Sequence, residues 1–233
     1  MSRLTPRWQA DLALAGITLI WGATFVLVKE ALAEISTLLF LALRFSIASL
    51  ALVVAFRGRL GAFHLRARAF RGGVLAGGFL FGGYVLQTFG LRFTTPSKSA
   101  FLTGLCIVLV PLFGAAVYKK RPQCAEILGV ATATVGMGLL TLEGAALRIG
   151  LGDFLTICCA VAFAFHILTV GHISPAGNFE TLSLAQILTA ALLAWSLCAW
   201  AEAPVLNWSP RVAAALAVTG LLATALAFSV QAW

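Results

Sequence analysis

"FLALRFSIASLALVVA", residues 40–55, carries one charge, Arg44, and two serines in an otherwise hydrophobic run. Extended to its natural limits, 38–56, it has 19 residues. As a helix it would be roughly 28 Å long at 1.5 Å per residue, close to the thickness of a bilayer's hydrocarbon core. A helix of this length on a soluble domain shows a polar face, and this one has none. Seven further stretches read the same way: 12–28, 74–91, 100–118, 127–142, 154–170, 182–200 and 212–233. Hydrophobic residues make up 61% of the chain, charged residues 10%, and the mean hydropathy is +1.00. Soluble domains carry roughly 25% charge. The pattern predicts an all-α polytopic membrane protein. Its first span is longer than a signal-peptide core and lacks a small-residue cleavage site after it, so it reads as a retained helix.

The net charge of +8 does not point to nucleic acid, because of where the charges fall. Ten of the sixteen basic residues lie on one side: Arg3, Arg7, Arg57, Arg59, Arg66, Arg68, Arg71, Lys119, Lys120 and Arg121. The positive-inside rule puts that side, and the N-terminus, in the cytoplasm, with the loops near Lys98 and Arg148 external. The expected location is the cytoplasmic (inner) membrane, with the lipid bilayer as the chain's first partner. Cys106, Cys124, Cys158, Cys159 and Cys198 are odd in number and have no metal-ligand spacing, so neither a disulfide framework nor a metal site is expected. Loops are short, no P-loop is present and no cofactor motif stands out, so ATP-driven transport by this chain alone is not expected.

A weak internal repeat organises the spans. "LIWGATFVLVKEA" lies over "CAVAFAFHILTVG", with Phe25 over Phe165. "FLALRFSIASLALVVA" lies over "LSLAQILTAALLAWSL", with Arg44 over Gln186. "LAGGFLFGGYVLQTF" lies over "VTGLLATALAFSVQAW", with Gln87 over Gln231 and Phe89 over Trp233. The offset moves only from 140 (165 − 25) to 144 (231 − 87). The expectation is a first repeat of five spans, 1–145, and a second, 146–233, that is incomplete at three. Two helices, about fifty residues, would be missing if the period is kept. An odd number of spans per repeat inverts the second copy, an architecture of secondary transporters whose substrate site lies near the midplane.

"IWGATFVLVK" (20–29), "RFSIASLAL" (44–52), "YVLQTFGLRFTTPSKSAFLTGLCIVLVPLFGAAVYKKRP" (84–122) and "LGVATATVGMGLLTL" (128–142) occur in the order of the first five helices of a known family. The chain resembles the EamA-type members of the drug/metabolite transporter superfamily. The resemblance implies ten helices in two five-helix repeats and a secondary transporter, an exporter of small metabolites or amino-acid-like compounds. It would take a small-molecule substrate. Homo-oligomerisation, or completion by missing C-terminal helices, stays open.

Polar and aromatic groups inside spans are the site candidates, since polarity in hydrocarbon faces a cavity or a partner. Trp21 and Phe25 are i, i+4 neighbours with Thr24 beside them, a face that offers stacking and one hydroxyl. Tyr84 and Gln87 share a face of the third span, and Gln231 repeats Gln87. These six are the expected substrate-binding residues, with interhelical packing as the alternative. Arg44 either attracts an anionic substrate group or is structural, snorkelling outward or capping a neighbouring helix's carbonyls. Gly73/Gly77 and Gly78/Gly82 are small-xxx-small pairs that let helices approach closely. Pro111 frees a carbonyl within its helix and is a candidate hinge. His166 is the only mid-span group titrating near neutrality, a candidate for coupling or simply a packed histidine. No carboxylate lies mid-span, unlike the glutamate on which related small multidrug transporters rely. Two other classes compete: a non-transporting membrane subunit, and an intramembrane enzyme, for which no nucleophile–base motif accompanies His166.

Overall fold

The computed structural model describes residues 7–58, 68–119, 124–141, 150–174 and 179–232. Arg3, Arg59, Arg66, Lys120, Arg121, Arg148 and Trp233, which the sequence reading used, lie outside the described residues. The described chain is helical apart from short connections. Its helices are α1 (Arg7–Ala31), α2 (Thr37–Phe56), α3 (Arg68–Phe93), α4 (Pro96–Tyr118), α5 (Cys124–Thr141), α6 (Leu151–Ile173) and α7 (Phe179–Ala201). The last span, Pro210–Ala232, is built of α8 (Pro210–Ala217), a π-helical stretch Val218–Leu226 and α9 (Ala227–Ala232). Among the described residues seven helices are long and apolar enough to cross a membrane. The protein is an all-α, multi-pass membrane protein. The remaining expected span corresponds to α5, the 18-residue helix that packs along α4.

Sequence signals explain where the helices begin. Thr95 and Ser209 cap α4 and α8 by accepting from the N–H groups of Lys98 and Val212, and Pro96 and Pro210 sit in the first turn, where no amide partner is needed. Pro111 lies inside α4, which runs unbroken through it.

α3 is the centre of the bundle. It packs most extensively on α6 and α7; α7 in turn packs on α2, and α4 on α6. Lipid-like solvation gives helices no hydrophobic reason to associate, so close backbone approach must supply the attraction. On α3, Ala69, Ala76, Gly83 and Gly90 recur every seven residues and all are buried. A Cβ on Gly83 would lie 2.5 Å from the Phe163 ring, and one on Gly90 2.8 Å from the Gly152 carbonyl. Gly73 and Gly77 touch α7 as expected, with a Cβ at 2.6 Å from Ala185 and 2.5 Å from the Gln186 carbonyl. Gly78 and Gly82 correct the expectation: nothing lies within 4 Å of a Cβ at either. They fall about 140° round the helix from the face that meets α7, so their pair is not a packing contact.

The Lys29 end of the bundle is held by polar ties. Lys29 Nζ donates to the carbonyls of Leu91, Arg92 and Thr94 at 2.6, 3.0 and 3.1 Å, satisfying groups that the C-terminus of α3 leaves open. Arg92 donates to Thr37 Oγ1 and the Ile35 carbonyl. Glu202 accepts from the N–H groups of Thr37 and Leu38, placing a carboxylate at the positive end of α2. Asp153 accepts from Thr94 Oγ1, the Gly150 N–H and Lys98 Nζ, the last at 2.6 Å.

Candidate functional site

A cavity of about 110 Å³ lies among α1, α3, α4, α6 and the last span. Its wall includes Trp21, Thr24 and Phe25 from α1, Tyr84 and Gln87 from α3, and Gln231 from α9. The structure therefore brings together all six: the five residues that helical spacing singled out and Gln231, which the repeat laid over Gln87. His166 joins them from α6. Five more complete the wall: Thr103 and Cys106 from α4, Phe163 and Ile167 from α6, and Phe228 from α9. A mid-span hydroxyl at i, i+3 from a thiol was the available signal for Thr103 and Cys106. The three apolar residues carry no signal that separates them from lipid-facing neighbours.

Each polar group on the wall has a definite orientation. Trp21 Nε1 donates to the Ala223 carbonyl at 2.9 Å, and Thr24 Oγ1 donates back to the Trp21 carbonyl at 2.7 Å. Thr24 therefore has lone pairs, but no hydroxyl proton, left for a ligand. Gln87 Nε2 donates to Thr103 Oγ1 at 3.1 Å, tying α3 to α4. The oxygen of the Gln231 amide is buried without a hydrogen-bond partner. His166, 1% exposed, donates from Nε2 to Gln186 Oε1 at 2.8 Å and meets Phe228 edge-on, ring centroids 5.4 Å apart. It is packed and hydrogen-bonded as well as cavity-lining.

The aromatic rings form a connected wall. Tyr84 meets Phe45, Phe163 and Phe228 at near-perpendicular angles with centroids 5.5, 5.2 and 6.2 Å away, the edge-to-face arrangement that ring quadrupoles favour. Trp21 lies 5.6 Å from Phe228.

Behind Tyr84 sits Arg44, 3% exposed. It does not snorkel and, among the described residues, donates to no carbonyl, which corrects those two structural readings. Nε donates to Thr224 Oγ1 at 2.8 Å, Nη2 donates to the Tyr84 hydroxyl at 2.9 Å, and the guanidinium carbon lies 4.2 Å from the centre of the Tyr84 ring. The π-helical stretch makes this possible. Its wider turns offer the Ala223 carbonyl to Trp21 and place Thr224, whose hydroxyl donates to the Thr219 carbonyl five residues back, against Arg44. Gly220 lets this stretch press on α2, where a Cβ would come within 2.9 Å of Ile47. Among the described residues no three His, Cys, Asp or Glu side chains gather as metal ligands.

A cavity walled by several spans and polar at chosen points is what a solute-carrying membrane protein requires. The profile of the EamA-like transporter family matches residues 8–142, more than half of the chain. The chain belongs to the EamA-like transporter family. This member is 31% identical over 227 residues to an uncharacterized transporter of Archaeoglobus fulgidus, covering 97% of this chain and 70% of the relative. A second uncharacterized transporter of that organism is 26% identical over 229 residues, covering 95% and 78%. A crystal structure 21% identical in sequence superposes with a TM-score of 0.77 over 97% of this chain and 79% of the other, a likeness of fold. α1 to α5 of this EamA-like protein thus correspond to the matched family region, and the cavity is built jointly by them and by the helices that follow.

Proposed function

We propose that this EamA-like protein is a secondary transporter, an exporter of small metabolites or amino-acid-like compounds, working by alternating access of two inverted repeats, 1–145 and 146–233. In this reading it lies in the cytoplasmic (inner) membrane with its N-terminus in the cytoplasm. The observation that carries the proposal is the shared cavity, walled by α1, α3 and α4 from one repeat and α6 and α9 from the other. Relative motion of the two would open such a site to one side and then the other.

Helix packing supports the repeat. Exchanging each of the first helices for the one five spans later maps the α2–α7 contact onto itself and α3–α7 onto α2 with the last span. The same exchange maps α3–α6 onto α1 with the last span. The π turn fits too: 218–233 has 16 residues and the stretch laid over it, 75–89, has 15. One extra residue is what a π turn absorbs. Export direction and solute class rest on the resemblance to the family.

The test is reconstitution into sealed vesicles loaded with labelled amino acids and small organic acids. Saturable efflux of at least one solute is expected, and Cys106→Trp, which fills the cavity from α4, should abolish it while the protein still inserts. Loss no faster than from protein-free vesicles across the panel, in either direction of gradient, would overturn the transporter reading.

A further inference from the structure

We infer that the transported solute brings a negatively charged group to the Arg44 side of the cavity, and that the cavity discriminates against cations. This deepens, and rests on, the transporter reading. Arginine stays protonated even when buried, so Arg44 places a full positive charge inside the bundle. Its partners, Thr224 and Tyr84, are neutral. The carboxylates of Glu34, Asp153 and Glu202 are at the Lys29 end, engaged with Ser209, Lys98 and the start of α2. Among the described residues no carboxylate forms an ion pair with Arg44. A buried charge compensated only by neutral dipoles and the face of the Tyr84 ring is costly, and a counter-charge entering from the cavity relieves that cost.

The space connects. A hollow of about 10 Å³, the size of one water, lies against Arg44 and is lined also by Thr24, Phe25, Gln87 and Thr88. Thr24, Phe25 and Gln87 wall the main cavity as well, so the positive charge lies just beyond side chains that face the solute. Elsewhere the main cavity's wall includes Trp21, Phe163, Ile167 and Phe228, which are apolar and aromatic. An organic anion with an apolar body satisfies both. An organic cation would meet a like charge, with no carboxylate among the described wall residues to receive it. A small inorganic anion shares the first half of this chemistry, so the experiment must separate the two.

Purified protein is titrated calorimetrically with phenylacetate, 2-phenylethanol and phenethylamine, matched in shape but negative, neutral and positive, and separately with chloride. Phenylacetate should bind at least about tenfold more tightly than phenethylamine. Arg44→Gln should bring the two within about twofold, and Arg44→Lys should keep part of the preference. The wild-type ranking stands by itself if the Arg44 variants do not fold. Equal binding of all three organic probes, or preference for the amine, overturns the charge inference while leaving the transporter reading intact. Chloride that competes with phenylacetate at equal concentration also overturns it, because the counter-charge is then an inorganic ion. No binding by any organic probe, matched by Cys106→Trp being indistinguishable from wild type, overturns the transporter reading itself.

Discussion

Gly77 and Gly78 are adjacent on α3, yet alanine at each should have opposite consequences. A Cβ at Gly77 would lie 2.5 Å from the Gln186 carbonyl and 2.7 Å from Thr189 Cβ, whereas one at Gly78 meets nothing within 4 Å. The carbonyl belongs to a helix backbone, so α7 as a whole must retreat by 0.5 Å to reach 3.0 Å, or 0.9 Å to reach ordinary contact at 3.4 Å. Overpacking of this kind costs about 1–3 kcal/mol. Both variants share the gain of replacing glycine by alanine in a helix, about 1 kcal/mol in water, so their difference isolates the contact. Thermal unfolding in detergent should place Gly77→Ala below Gly78→Ala by about 2–12 °C, taking about 2–4 °C per kcal/mol for a chain of this size. The strain also reaches the cavity, because Gln186 holds His166 at 2.8 Å on its wall. Ligand affinity should therefore fall in Gly77→Ala and not in Gly78→Ala. Melting points that agree within error would refute the assignment of the α3–α7 contact to Gly77.

Trp21→Phe keeps an aromatic ring but removes the donor to the Ala223 carbonyl, and should cost about 0.5–1.5 kcal/mol with faster amide exchange across Val218–Leu226. Unchanged exchange there would mean that the indole does not support the π turn. At the Lys29 end, a double-mutant cycle of Lys98→Gln and Asp153→Asn should give a coupling of only about 0.2–1 kcal/mol despite the 2.6 Å contact, since the Lys98 side chain is 39% exposed. A coupling several times larger would show that the pair is shielded from water. For topology, single cysteines in a cysteine-free background at Arg57 or Arg71 should be protected from an impermeant reagent in sealed cells, while one at Lys98 should label. External labelling at Arg57 refutes a cytoplasmic N-terminus.

Class and much of the site were legible in the sequence because both follow from local rules. A bilayer admits only segments that satisfy their own backbone, so uninterrupted apolar runs such as 38–56 had to be helices. Within such a helix, spacing fixes which residues share a face, which is why Trp21 with Phe25 and Tyr84 with Gln87 could be paired in advance. What spacing does not fix is the neighbour that a face meets. α3 offers glycines at 72, 73, 77, 78, 82, 83 and 90, and only the positions of α6 and α7 decided that Gly72, Gly73, Gly77, Gly83 and Gly90 are contacts while Gly78 and Gly82 are not. Arg44 could have reached the membrane surface; Thr224 and Tyr84, from two other helices, hold it inside. The π turn in Val218–Leu226 had no local signature, because an α-helix satisfies the same apolar residues equally well. It persists where Gly220 meets α2 and where Trp21 and Arg44 take up the groups that the wider turns present. Sequence determined which segments enter the membrane and which residues face the same way; the tertiary packing decided which of those faces meet protein and which surround the cavity.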